Sequence, residues 1–110
     1  MSFKSDLEAI VLGSLQGQSL HGYEISKRIS TKSEGLLRVG EGQLYPTLHK
    51  LEQAGLVTAE WVNQEGKPAR KVYSLTEAGT AHLAEKQKTW AKFARSIGAI
   101  MTHPKEAPGG

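Results

Sequence analysis

Apolar positions recur at helical spacing near the start of the chain and predict a first α-helix. Its buried face consists of Leu7 and the apolar residues three, four and eight positions later: Ile10, Val11 and Leu15. Ser5 and Glu8 have the spacing of a capping box, and Gly17 can end the helix in a left-handed turn.

A second helix is expected to begin at about residues 19–21, with Gly22, Ile25 and Ile29 on one face. Because Gly22 has no side-chain carbon, it permits close packing against another helix. Residues 30–42 are polar and contain glycine, so we interpret them as a loop with three apolar anchors: Leu36, Leu37 and Val39.

A third helix, from about Gly42 to Ala54, has the clearest division into two faces. Leu44, Leu48 and Leu51 commit one face to a core, Pro46 is expected near the first turn, and Gly55 ends the helix. The residues left facing outward are polar: Gln43, Tyr45, Thr47, His49 and Lys50.

The remainder of the chain predicts a β-hairpin and a long helix. Residues 57–63 and 70–75 alternate as strands do, residues 64–69 form the connection, and Thr76 can cap the helix that follows. This order predicts a mainly α fold with a small β-hairpin: a winged helix-turn-helix over residues 5–76, a C-terminal dimerisation helix over 77–101, and a disordered tail over 102–110.

The last helix carries an apolar seam with heptad spacing: Leu83, Trp90, Phe93, Ile97 and Ile100. Lys86 interrupts the seam, so its strong part begins at Trp90. A helix over residues 77–101 would extend about 37 Å, farther than a three-helix body can cover. We therefore predict a homodimer; the alternative is that the seam packs on the chain's own first helix.

Composition narrows the function classes. The 110 residues, 38% hydrophobic and 23% charged, are ordinary for one globular domain, and the absence of cysteine excludes disulfides and thiolate chemistry. No apolar run approaches the roughly 20 residues that cross a bilayer, and the N-terminus lacks a signal-peptide layout. We expect a cytoplasmic protein with no membrane partner.

Enzymatic chemistry has little support in the sequence. The histidines have no second ligand at metal-binding spacing: His21, His49, His82 and His103. Gly40-Glu41-Gly42 lacks the remaining glycines and the lysine of a nucleotide-binding loop. We therefore predict that the protein is not an enzyme and has no catalytic residue, no metal and no cofactor.

The net charge is only +3, but basic residues cluster in two places, Lys27 to Lys32 and Lys67 to Lys71. These clusters are candidate phosphate contacts, and an ordinary solvated surface is the alternative. With the outward face of the third helix they give the candidate residues for binding double-stranded DNA: Gln43, Tyr45, Thr47, His49, Lys50, Lys67, Arg70 and Lys71. Tyr45 and His49 can instead pack partly into the domain, and Glu52 is expected to pair with a basic side chain such as Arg28 or Lys50.

Three segments resemble the hallmark sequences of the PadR family of bacterial transcriptional regulators: residues 21–25, 44–56 and 70–79. The resemblance covers residues 5 to about 101 and implies a winged-helix dimer that represses transcription. It also implies that the third helix enters the major groove while the wing contacts flanking phosphates or the minor groove. The single C-terminal helix is similar to that of the short subfamily.

Trp90 lies eleven residues after Gly79, where a multidrug-responsive member of that subfamily has a tryptophan at its dimer interface. The resemblance therefore implies a small aromatic effector at an interface that contains Leu83, Lys86, Trp90, Phe93 and Ile97. The alternative is that Trp90 is simply a core residue of the dimer seam. The function indicated is a homodimeric repressor released by an effector; the alternative is a winged-helix protein-interaction module without sequence-specific DNA binding.

Overall fold

The computed structural model describes residues 6–103, which form a helical body, a small sheet and one long helix. The elements in chain order are α1 (Leu7–Ser14), β1 (Leu20–His21), α2 (Gly22–Lys32), α3 (Glu41–Gln53), β2 (Val57–Gln64), β3 (Lys67–Leu75) and α4 (Glu77–Met101). The predicted mainly α fold with a hairpin is confirmed. Ser5 of the predicted capping box and residues 104–110 of the predicted tail lie outside the described residues.

The core lies where α1, α2 and α3 meet one face of the sheet. Its fully buried side chains come from the predicted helix faces: Val11, Leu12, Leu15, Ile25, Leu44, Leu48 and Leu51. Burying side chains of this size contributes about 1.5–3 kcal/mol each. These contacts hold the three helices together, and among residues 6–103 the opposite face of α3 stays exposed.

The link between α2 and α3 departs from the sequence prediction. Helix α2 continues to Lys32, and the chain then reverses through left-handed backbone at Glu34 (φ 53°) and Gly35 (φ 81°). Val39 is buried as an anchor, but Leu36 is 73% exposed, so its assignment as an anchor was wrong. The turn points Leu36 away from the body.

Pro46 is the sixth residue of α3, in its second turn rather than its first. Because proline has no N–H, the Gly42 carbonyl receives no helical hydrogen bond from position 46. The end of α3 follows the prediction: Gly55 has φ 77°, and the Leu56 N–H donates to the Leu51 carbonyl at 2.9 Å.

The sheet contains one more strand than was predicted, in the antiparallel order β1-β3-β2. Strand β1 pairs Leu20 with Tyr73, and its two residues are too few to show an alternating pattern. The hairpin turn is only Glu65-Gly66, so the predicted connection over residues 64–69 was too long. The register between β2 and β3 shifts between Val62 and Gln64. Pro68 lies in this irregular part of β3, where the N–H that proline lacks is not needed for a ladder hydrogen bond.

Thr76 caps α4 as predicted, because its Oγ1 accepts a hydrogen bond from the Gly79 N–H at 3.0 Å. The absence of a side chain at Gly79 lets α4 approach the Leu56 carbonyl, which a Cβ atom would overlap. From there α4 runs for 25 residues and gives the molecule an extent of 70 × 27 × 23 Å. No helix among residues 6–103 is both long enough and apolar enough to cross a membrane.

Candidate nucleic-acid interface

The outward face of α3 presents polar side chains beside the wing, the hairpin formed by β2 and β3. Gln43, His49 and Lys50 are exposed, whereas Thr47 is half-buried. The Thr47 hydroxyl donates to the Gln43 carbonyl at 2.8 Å, so its oxygen remains available mainly as an acceptor. His49 does not adopt the buried alternative, and the face can offer both donors and acceptors to a ligand.

Lys50 is the exposed cation of this face, and its Nζ lies 3.0 Å from a Glu8 carboxylate oxygen of α1. Because the Lys50 side chain is 75% exposed, the pair is screened by solvent and contributes little to stability. Lys50 can therefore exchange Glu8 for another anion at small cost.

Tyr45 packs between α3 and α2, which is the alternative that the sequence left open. Its ring lies against Gly22, where a Cβ atom would overlap the phenol, yet Tyr45 remains 44% exposed. Gly22 thus permits the close helix packing that was predicted, and the partner is the Tyr45 ring.

Lys71 and Glu52 form an ion pair at 3.3 Å, so Glu52 pairs with a basic side chain as expected, but its partner is neither Arg28 nor Lys50. The Lys71 ammonium also lies 5.7 Å from the centre of the Tyr73 ring. Burial raises the pKa of the Tyr73 phenol, while the neighbouring Lys71 charge acts in the opposite direction. Lys71 is therefore held at the base of the wing, unlike Lys67, which is exposed beside the turn.

Sequence reasoning missed two exposed aromatic residues, Tyr23 (69% exposed) and Trp61 (70% exposed). Both line an open cleft of about 570 Å³ between α2, α3 and the wing, together with Tyr45 and Arg70. Alternation along β2 places Trp61 on the same face as Val57, which is buried. The alternation was misleading because the hairpin extends beyond the helical body, and residues 6–103 leave Trp61 on that face 70% exposed.

The residues predicted for the dimer interface and effector pocket divide into two groups. Leu83 is 5% exposed and belongs to the core of its own chain, so it has almost no surface left for a partner. Lys86 lies 3.5 Å from the buried carboxylate of Asp6. In these two positions α4 packs on the chain's own body, which was the alternative interpretation of the seam.

Trp90, Phe93 and Ile97 lie farther along α4 and keep exposed surface. The Trp90 and Phe93 rings meet edge to face, with their centres 5.6 Å apart. Trp90 also borders an apolar groove of about 340 Å³ between α1 and α4. The opposite wall, which the sequence did not indicate, is formed by Ile10, Gly13 and Leu37.

Comparison with known proteins places this fold among bacterial regulators. Residues 11–85 match the model of the transcriptional regulator PadR-like family. A transcriptional regulator of Mycobacterium tuberculosis is 37% identical over 84 residues, which cover 76% of this chain and 75% of that protein. A solved transcriptional regulator from Clostridium thermocellum has a TM-score of 0.81 at 25% identity, covering 93% of this chain and 99% of that one.

The Bacillus subtilis protein PadR, named a negative transcriptional regulator, is 31% identical over 77 residues, or 70% of this chain and 42% of that protein. Its crystal structure, solved in complex with operator DNA, has a TM-score of 0.67 at 26% identity and is matched over 89% of this chain and 48% of that chain. This chain therefore spans less than half of PadR.

These named relatives are transcriptional regulators rather than enzymes, in agreement with the sequence prediction. The matched segment includes α2, α3 and the wing, which contain the outward residues described above. The chain belongs to the PadR-like family of transcriptional regulators.

Proposed function

We propose that this protein is a homodimeric DNA-binding repressor that is released from its operator by a small aromatic effector bound near the dimer interface. The observation that carries the proposal is the polar and cationic surface formed by α3 and the wing. One cleft, lined by Tyr45 of α3 and Arg70 of the wing, connects these two elements. A helix about 10–12 Å across fits the major groove of DNA. The relative bound to operator DNA supports this docking.

On this surface some residues contact bases and others contact phosphates. The Gln43 amide can form paired hydrogen bonds with adenine, and the Thr47 oxygen can accept one from a base amino group. Lys50 leaves Glu8 and contacts guanine or a phosphate. Lys67 and Arg70 add phosphate contacts from the wing, where Lys71 contributes its charge from the base.

The second half of α4 supports the dimer. Ile97 is 37% exposed, Ile100 is 79% exposed and Met101 is 77% exposed, on a helix that has left the body. A second copy would cover these side chains and place two α3 helices on one duplex, about 34 Å apart for successive turns.

The groove beside Trp90 supports the effector site. Its lining is apolar apart from Lys86 and Gln87, and Trp90 offers a flat ring for stacking. Since the groove lies between α1 and α4, a ligand there would favour one angle between body and helix over another. Release of DNA follows if the favoured angle changes the spacing between the two α3 helices.

The first test compares duplex binding by the wild type, Lys50→Ala and Glu8→Gln in a mobility-shift assay on promoter fragments. Lys50→Ala should weaken binding about tenfold. It should also reduce the slope of log affinity against log salt concentration by about 1, the value for one lost phosphate contact. Glu8→Gln should strengthen binding, since it frees Lys50 and removes a negative charge. Lys88→Ala, a lysine on α4, is the matched control. Unchanged affinity in Lys50→Ala contradicts the assignment of α3 to the groove.

The second test uses Trp90 as its own reporter in a Trp61→Phe background. A panel of flat aromatic compounds should quench Trp90 fluorescence and release DNA, and Trp90→Ala should lose the DNA release. Sedimentation at micromolar concentration should show a dimer. If Trp90→Ala keeps both dimerisation and effector response, the pocket is elsewhere; a wild-type monomer contradicts the dimeric repressor.

The exposed rings of Tyr23 and Trp61 favour one alternative, a protein-interaction module. That function predicts weak DNA binding without sequence preference. Selection of duplexes from a random library by the wild-type protein separates the two, because only a sequence-specific regulator enriches a common motif.

A further inference from the structure

The wing is joined to the end of α3 at its base. The Thr76 hydroxyl, just after β3, donates to the carbonyl of Gly55, just after α3, at 2.7 Å. Val57 and Tyr73, near the base of β2 and β3, are buried in the core. Farther out the strands leave the body, and Trp61 is exposed. These contacts fix where the wing starts, and its direction depends on what holds it beyond them.

A half-buried ion pair provides the next contact between α3 and the wing. Lys71 lies two residues before Tyr73 on β3, and its Nζ is 3.3 Å from a carboxylate oxygen of Glu52 in the last turn of α3. The two side chains are 35% and 34% exposed, against 75% for Lys50. Among residues 6–103 no other ion pair joins α3 to the wing. Because water screens it less than a surface pair, this contact can resist a change in the angle of the wing.

The Lys71 ammonium is also held by the ring of Tyr73. Alternation along β3 places both residues on one face, and the ammonium lies 5.7 Å from the centre of the ring. Burial raises the pKa of Tyr73, the charge of Lys71 acts to lower it, and Glu52 and Tyr45 act to raise it. These four side chains therefore form one cluster where α3 meets the wing.

The angle of the wing determines whether its outer cations reach DNA. Lys67 lies four residues from Lys71 toward the turn. This separation corresponds to about 13 Å along a strand. A tilt of about 10° at Lys71 would therefore displace Lys67 by about 2 Å, which is enough to break a phosphate contact. A duplex is stiff over this length and would not bend to follow the wing without a cost in free energy.

We propose that Glu52 is a positioning residue for operator binding. Through Lys71 it holds the wing at the angle that lets Lys67 and Arg70 contact phosphates while α3 occupies the major groove. Glu52 itself does not touch the duplex. The inference rests on the proposed DNA-binding function, and it gives a favourable role to a carboxylate that by its charge alone would oppose binding.

The test compares hydroxyl-radical footprints and affinities on a duplex that the wild-type protein selects from a random library. Lys67→Ala marks the positions that the wing protects. Glu52→Gln should lose protection at those positions, keep the protection given by α3, and bind about fivefold more weakly. Lys71→Gln should behave in the same way. By charge alone Glu52→Gln would bind more tightly, so the two explanations predict opposite signs.

The exchange variant Glu52→Lys/Lys71→Glu keeps the net charge and can form the same ion pair in reverse. It should recover the wing protection and bind within about twofold of the wild type. A lysine that contacts a phosphate directly would not be replaced by one on α3. The matched control is the same exchange in an exposed pair of α4, Glu85→Lys/Lys88→Glu, which should behave as the wild type.

Several results would overturn the inference while the repressor stands. One is an affinity of Glu52→Gln equal to or above that of the wild type, and another is loss of its wing and α3 protection together. An exchange variant as weak as Lys71→Gln would show that Lys71 itself contacts a phosphate. An unchanged footprint in Lys67→Ala would remove the wing from the duplex and the inference with it. If no motif is enriched from the library, the proposed function itself fails.

Discussion

The two halves of α4 share one heptad seam but lie in different surroundings. In the first half, residues 77–87, Gly79 packs against the Leu56 carbonyl and Leu83 is buried at 5% exposure. In the second half, residues 88–101, Ile100 is 79% exposed. The seam positions are equivalent by spacing, so periodicity alone cannot tell which of them a chain covers by itself.

Two ion pairs of α4, one within the first half and one at the boundary with the second half, differ in the same way. Lys86 reaches a carboxylate of Asp6 that is 3% exposed, whereas Lys88 pairs with Glu85, whose side chain is 76% exposed. The first half is therefore part of the monomer fold. The second half leaves apolar surface that a second copy of the chain would cover.

The largest expected difference is between Leu83→Ala and Ile100→Ala. Leu83→Ala should lower the free energy of unfolding by about 2–5 kcal/mol, because it leaves a cavity in the core. Ile100→Ala should change it by no more than about 0.5 kcal/mol in the monomer and should weaken self-association. Urea denaturation at several protein concentrations measures both. Equal losses at all concentrations would show that the two halves do not differ.

The glycines of α4 provide a second matched pair. Gly79→Ala should destabilise the fold by about 1–3 kcal/mol, because the new methyl group meets the Leu56 carbonyl. A methyl group at Gly98 would point into open space among residues 6–103, so Gly98→Ala should stabilise the helix by up to about 1 kcal/mol. Thermal unfolding followed by circular dichroism measures whether each substitution raises or lowers the stability. Stabilisation by Gly79→Ala is incompatible with the close approach of α4 to the body.

The smallest expected difference is between the two ion pairs. A double-mutant cycle with Asp6→Asn and Lys86→Met should give a coupling of about 1 kcal/mol, since Asp6 is shielded from water. The cycle with Glu85→Gln and Lys88→Met should give about 0.3 kcal/mol and vanish in concentrated salt. Denaturation of the single and double variants measures each coupling. A larger value for the exposed pair would contradict the division of α4.

Patterns between near neighbours were sufficient to predict much of the fold. The buried face of α3, the left-handed Gly55 and the Thr76 cap follow from residues three or four positions apart. The short strand β1 escaped prediction because its partner Tyr73 is more than fifty residues away. Leu36 was misassigned because an apolar residue in a loop carries no information about the direction of its side chain.

In the candidate site, too, some features follow from near neighbours in the sequence and others from distant contacts. Sequence alone determined which side chains α3 turns outward, since helical period places Gln43 and Lys50 opposite the buried leucines. Only the tertiary structure decided that the Tyr45 ring packs against Gly22 and that Lys71 forms an ion pair with Glu52. It also decided that Tyr23, Trp61 and Arg70 line one cleft. The physical reason is that the direction in which a side chain points is set within a single helix, whereas ion pairs and clefts require elements that only folding brings together.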